Sequence, residues 1–163
     1  MVLGMSLATF TLVHVIISLI GIGSGILVLF GLLGSSRMPG MTAIFLLTTI
    51  LTNATGFLFP FEGFKPSYVI AALSLVLLLI ACIALYAMKL GGAWRWIYVV
   101  TALLALYFNC FVLVIQSFLK IPVLTAIAPG NPPAGPVFAV VQGLVLVFFV
   151  LMIIGAIRRF RPV

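Results

Sequence analysis

Histidine occurs once in this chain, at position 14, glutamate once, at position 62, and aspartate not at all. Acid–base, nucleophilic and metal chemistry each need cooperating groups: a nucleophile with its base, a pair of titratable side chains, or a full set of ligands. Without aspartate no Ser-His-Asp set can be assembled, and Cys82 and Cys110 show no zinc-type spacing with His14. Glu62 stands three residues from Lys65, where a solvated ion pair accounts for it. The residue types that remain suit binding: His14, Ser18, Asn53, Asn109, Gln116 and Gln142 offer hydrogen bonds inside otherwise apolar sequence. One redox alternative exists, a b-type haem on His14. Its second axial ligand would have to be a methionine such as Met5 or Met88, or His14 of a second copy of the chain. Apart from that alternative, no metal and no cofactor is expected.

The elements that position these groups are set by the solvent. The chain has 163 residues, 66% of them hydrophobic and only 6% charged, and its mean hydropathy is +1.50. A water-soluble domain needs far more charge to cover its surface, so the surroundings must be lipid. A spanning helix takes about 20 mostly apolar residues. Five segments meet that length, at about 6–33, 41–59, 67–89, 95–119 and 137–157. Runs within them such as 73–85 and 145–154 are apolar on every side, unlike the alternating strands of a membrane barrel. The expected fold class is therefore all-α: a single transmembrane domain over residues 1–163, an integral membrane bundle of five helices. Residues 1–5 lack a basic residue and no A-x-A cleavage site follows, so the first span is expected to be retained.

The net charge of +7 would suggest nucleic acid in a soluble protein. No basic stretch interleaved with aromatics supports that here, so nucleic acid is not an expected partner. The basic residues instead set an orientation. With the N-terminus outside, Arg37, Lys89, Arg95, Arg158, Arg159 and Arg161 all fall on the cytoplasmic side, and Lys65, Lys120 and Glu62 fall outside. The expected orientation is N-out, C-in, with the C-terminus in the cytoplasm.

The connections at 34–40, 60–66 and 90–96 are short and marked by Gly, Pro or Trp. The fourth, 120–136, holds five of the nine prolines, yet 121–128 is largely apolar. It is expected to form a short interfacial helix and a Pro-rich external cap on the bundle, with a disordered Pro-rich linker as the alternative.

Helix association in lipid relies on small residues and polar contacts. In the first span Thr11, His14, Ser18, Gly21 and Gly25 form one stripe, with Gly21-x-x-x-Gly25 as a close-approach motif. Thr42, Thr49, Asn53 and Gly56 align in the second span, and Ala102, Ala105, Asn109, Val112 and Gln116 in the fourth. Gly21, Gly25 and Gly56 are the expected helix-packing positions. At roughly 1.5 Å per residue, His14, Asn53, Asn109, Gln116 and Gln142 share a slab in the outer half of the membrane, beneath the cap and above a dry inner half. Two arrangements satisfy such a cluster. The side chains bond one another across helices, or they line a small ligand site that opens outward.

Several stretches resemble small uncharacterised multi-pass membrane proteins of bacteria. They are His14-Val-Ile-Ile-Ser-Leu-Ile-Gly-Ile-Gly-Ser-Gly25, Thr52-Asn-Ala-Thr-Gly-Phe-Leu-Phe-Pro60, Gly92-Ala-Trp-Arg-Trp-Ile-Tyr98 and Leu106-Tyr-Phe-Asn-Cys-Phe-Val-Leu-Val-Ile-Gln116. The resemblance implies a bacterial inner-membrane location and transfers no activity and no catalytic residue. The functional expectation is a non-enzymatic protein that binds or permeates a small, mostly apolar ligand, lipid or quinone-like. Alternatives are an accessory subunit, or a homodimer, docking through its Gly21/Gly25 face, and the haem protein.

Overall fold

A computed structural model describes residues 1–162. Among these the regular elements are all helical. Helix α1 covers Leu7–Leu33, α2 Pro39–Gly56, α3 Pro66–Cys82, α4 Trp94–Lys120, α5 Pro122–Ile127 and α6 Pro136–Arg159. A π-helical turn, Ile83–Ala87, prolongs α3. The helix starts follow local chemistry. The Ser6 hydroxyl accepts the Thr9 N–H at 3.2 Å, and α2, α3, α5 and α6 each carry proline in the first turn, where its missing N–H removes nothing.

Among the described residues four helices are long and apolar enough to cross a membrane: α1, α3 with its π-helical turn, α4 and α6. The predicted span 41–59 corresponds to α2, which is shorter, 18 residues, and richer in hydroxyls. Its polar groups bond back to their own helix. Thr52 Oγ1 donates to the Thr48 carbonyl at 2.8 Å, Asn53 Nδ2 to that of Thr49 at 2.8 Å, and Thr55 Oγ1 to that of Leu51 at 2.6 Å. Back-bonding of this kind lets a polar helix lie among apolar neighbours.

Helices α1 and α2 form an antiparallel hairpin, reversed by left-handed backbone at Ser35 (φ 59°) and Met38 (φ 43°). Their register is regular. Gly31 faces Met38, Gly25 faces Phe45, Gly21 faces Thr48 and Thr49, and His14 bonds Thr55. Each pair of numbers sums to about 70, so α2 lies alongside α1 from its first turn to its last. Glycine makes this approach possible. A methyl group on Gly25 would stand 2.6 Å from Leu106 Cδ1 and 2.8 Å from Phe45 Cδ1. The predicted packing role of Gly21 and Gly25 is thus exercised inside the chain, against α2 and α4, and their face is not open to a partner. Gly56 is looser, its nearest neighbour for an added carbon being His14 at 3.9 Å.

Helix α4 is the hub, packing on α1, α2, α3, α5 and α6. At the end of the bundle that carries Arg95 the interior is dry: Phe45, Leu78, Val99, Ala102, Leu103 and Leu106 are each fully buried. Arg95 Nη1 closes this end by donating to the carbonyls of Ile157 (2.8 Å) and Phe160 (2.7 Å). A cation at the last carbonyls of α6 complements the helix dipole. Phe160, 1% exposed, packs against Tyr98.

The 120–136 connection contains the expected short helix, α5, but its contacts run to α4 rather than across the bundle. Thr125 Oγ1 donates to the Phe118 carbonyl at 2.8 Å, which folds α5 back against the end of α4.

Gly25→Ala is predicted to destabilise the bundle by roughly 1–3 kcal/mol through overpacking. Gly23→Ala, whose added carbon meets nothing within 4 Å, should leave stability unchanged or raise it by up to about 1 kcal/mol, since alanine is the better helix former. Thermal melts in detergent test the pair, and equal melting of the two variants would disprove the close approach.

Candidate ligand cavity

Helices α1 to α4 form a ring, each packing on the next and α4 on α1. Phe45 and Leu106 close its centre at the Arg95 end, where the small Gly25 lets them meet. Toward the Glu62 end the ring widens into a cavity of about 610 Å³. That volume lies in the range of pockets that enclose small organic ligands, about 300–1,000 Å³.

Of the sequence-predicted residues, His14, Ser18, Asn53, Gly56, Asn109 and Gln116 all line this space. Gln142 does not. Its Nε2 donates to the Phe111 carbonyl at 3.1 Å, on a different face of α4 from Asn109, and it stitches α6 to α4. The correction has a simple cause. Depth along the membrane normal follows from counting residues, but α6 packs on the side of α4 turned away from the ring.

The lining side chains do not form one cross-helix network. Asn53 bonds its own helix, and the single direct contact between two of the predicted groups, Ser18 Oγ to Asn109 Oδ1, is long at 3.5 Å. Asn109 is 8% exposed, and its Nδ2 has no partner. Neither has Thr49 Oγ1, just beneath the cavity floor. Both atoms face Gly21, where a methyl group would stand 3.1 Å from Thr49 Oγ1 and 3.5 Å from Asn109 Nδ2. Each unsatisfied buried group costs about 1–3 kcal/mol, so the floor of the cavity is held at the expense of stability.

His14 is oriented from two sides. Its Nδ1 lies 2.8 Å from Thr55 Oγ1, and the Phe59 ring meets it edge to face at a centroid distance of 5.1 Å. Thr55 Oγ1 also lies 2.6 Å from the Leu51 carbonyl of its own helix.

The mouth was not legible as part of the site. Phe59, Pro60, Glu62 and Lys65 of the α2–α3 connection overhang it, with Lys120 from the end of α4. Glu62 and Lys65 pair at 3.5 Å, and Tyr68 stacks against Phe57 and Phe61. The Pro-rich connection expected above the cluster contributes only its first residues, Lys120 and Ile121. Thr55 lies outside the expected set, on the Thr48, Thr52 and Thr55 stripe that neighbours the one through Thr49 and Asn53.

For a six-coordinate haem the residues do not fit. No methionine and no second histidine lines the cavity, and the Gly21/Gly25 face that would bring a second copy's His14 near is occupied by α2 and α4. Among the described residues no group of three His, Cys, Asp or Glu is placed to hold a metal ion. What the arrangement can do is surround an apolar body and hydrogen-bond one polar end. No protein-family model, no curated protein and no solved structure matches this chain.

Asn109→Leu removes an amide whose Nδ2 is unpaired and keeps similar volume. It is expected to leave stability unchanged or raise it by about 1 kcal/mol. Thermal unfolding of the purified protein checks this, and a loss of more than about 2 kcal/mol would show that the amide is satisfied after all.

Proposed function

We propose that this chain is a multi-pass protein of the bacterial inner membrane that binds a small, mostly apolar molecule, lipid or quinone-like, in the cavity between α1, α2, α3 and α4. The observation that carries this reading is the cavity itself: open toward the Glu62 end, lined by apolar surface with hydroxyls and amides set among it, and supplied with one oriented imidazole. Ligand pockets combine apolar lining with a few placed polar groups in this way. The packing at the Arg95 end supports binding rather than passage across the bilayer, because Phe45, Val99, Leu103 and Leu106 are fully buried there and the hydroxyls of Thr42 and Thr101 among them are bonded to backbone carbonyls.

In this proposal the chain crosses the bilayer five times, α2 included. The α1–α2 register supports the count, since α2 keeps pace with α1 over about 26 Å at 1.5 Å per residue, close to the hydrocarbon thickness. The distribution of basic residues supports an outward Glu62 end, with the N-terminus outside and the C-terminus in the cytoplasm. A molecule dissolved in the outer leaflet or arriving from outside would then reach His14 past the α2–α3 connection. Its polar end would meet His14, Asn53, Asn109 and Gln116.

Two measurements test this. Native mass spectrometry of detergent-purified protein should reveal a retained small molecule, or uptake of an added long-chain amphiphile. Ala71→Trp, which fills the cavity from α3, should reduce that binding at least tenfold. No retention, no uptake and no effect of Ala71→Trp would end the binding proposal. Reporter tags on the two termini should lie in opposite compartments, and tags in the same compartment would end the five-span threading.

A further inference from the structure

The hydrogen-bond pattern around His14 restricts what the cavity can hold. Thr55 has one hydroxyl proton. Its oxygen lies 2.6 Å from the Leu51 carbonyl and 3.2 Å from that of Thr52. Both are pure acceptors, so the proton points at its own helix. The same oxygen lies 2.8 Å from His14 Nδ1, and that contact is attractive only if Nδ1 carries a hydrogen. A neutral imidazole has one N–H, so Nε2 is left with a bare lone pair. The only acidic side chain in the chain, Glu62, is already paired with Lys65 at 3.5 Å, and Lys120 lines the same cavity. No free carboxylate faces the ring to hold a second proton on it.

Nε2 has no partner within the chain, and the Thr55 bond together with the Phe59 contact keeps the ring from turning. From these facts we infer that the ligand oxygen set against Nε2 is a hydroxyl on an apolar body, as in a phenol or hydroquinone, and not the oxygen of a quinone, ketone or ether. A hydroxyl satisfies Nε2, whereas a carbonyl or ether oxygen would face it lone pair to lone pair. This inference rests on the proposed binding role of the cavity and names the ligand class for it. Thr55 is then a positioning residue, one that selects the imidazole tautomer without touching the ligand.

A matched pair of redox-stable probes tests the idea, a long-chain alkylphenol and its methyl ether, which differ in the single proton at issue. The phenol should bind about tenfold more tightly, the worth of one hydrogen bond. Since His14 is the only histidine, nitrogen NMR of histidine-labelled protein reads the tautomer directly. Nδ1 should be protonated in the free protein, and the Nε2 resonance should move with the phenol but not with the ether. Thr55→Ser should keep the preference, and Thr55→Val should abolish it, because the ring can then present either nitrogen. Equal binding of the two probes, or a proton on Nε2 in the free protein, overturns the inference while leaving the cavity a binding site. If neither probe binds, the inference falls together with the binding proposal.

Discussion

Hydrocarbon offers no hydrogen bonds, so a polar group inside a spanning segment must find its partner within the chain or go without. In this protein most find it at the shortest possible range. Ser24, Thr48, Thr52, Thr55, Thr101 and Ser117 each donate to a carbonyl one turn earlier in their own helix. A hydroxyl satisfied in this way makes little demand on the neighbouring helix, and the interior at the Arg95 end is then free to pack closely around buried Thr42 and Thr101. The longer side chains behave differently. Asn53 still bonds back to its own helix, but His14, Asn109 and Gln116 do not, and they are left facing a common space. The cavity and the dry core follow from the same rule applied to short and to long polar side chains.

Close approach of backbones is the second constraint. Burial of apolar surface drives little association between helices in lipid, so contact depends on fit. Gly21 and Gly25 let α1 lie against both α2 and α4, and Phe45 and Leu106 fill the space that a side chain at Gly25 would need. One turn toward the Glu62 end, at Gly21, the facing residues change from large and apolar to Thr48, Thr49 and Asn109. The transition from core to cavity floor therefore takes place between two glycines on a single helix.

Much of this was legible in the residues. Helical spans, the Gly21/Gly25 approach and the gathering of His14, Ser18, Asn53, Asn109 and Gln116 all follow from periodicity and depth, because an α-helix converts residue number into both. Three features did not follow. Gln142 sits at the right depth but on a helix that packs outside the ring. The mouth is formed by the α2–α3 connection and not by the Pro-rich one, a choice that depends on which way each connection folds back. Thr55 became the partner of His14 through the pairing register of α1 and α2, which shifts by whole turns with the length of the loop between them.

The amino-acid sequence by itself determined the solvent, the helical class and the height at which each polar group sits, since hydropathy and a fixed rise per residue are properties of one segment at a time. Only the tertiary structure decided which helices are neighbours, and hence whether the polar groups would bond one another or surround a space. It also decided that His14 meets Thr55, a threonine forty-one residues away. Neighbour choice reflects side-chain fit among helices that are almost equally greasy, and that fit is decided only when all of them pack together.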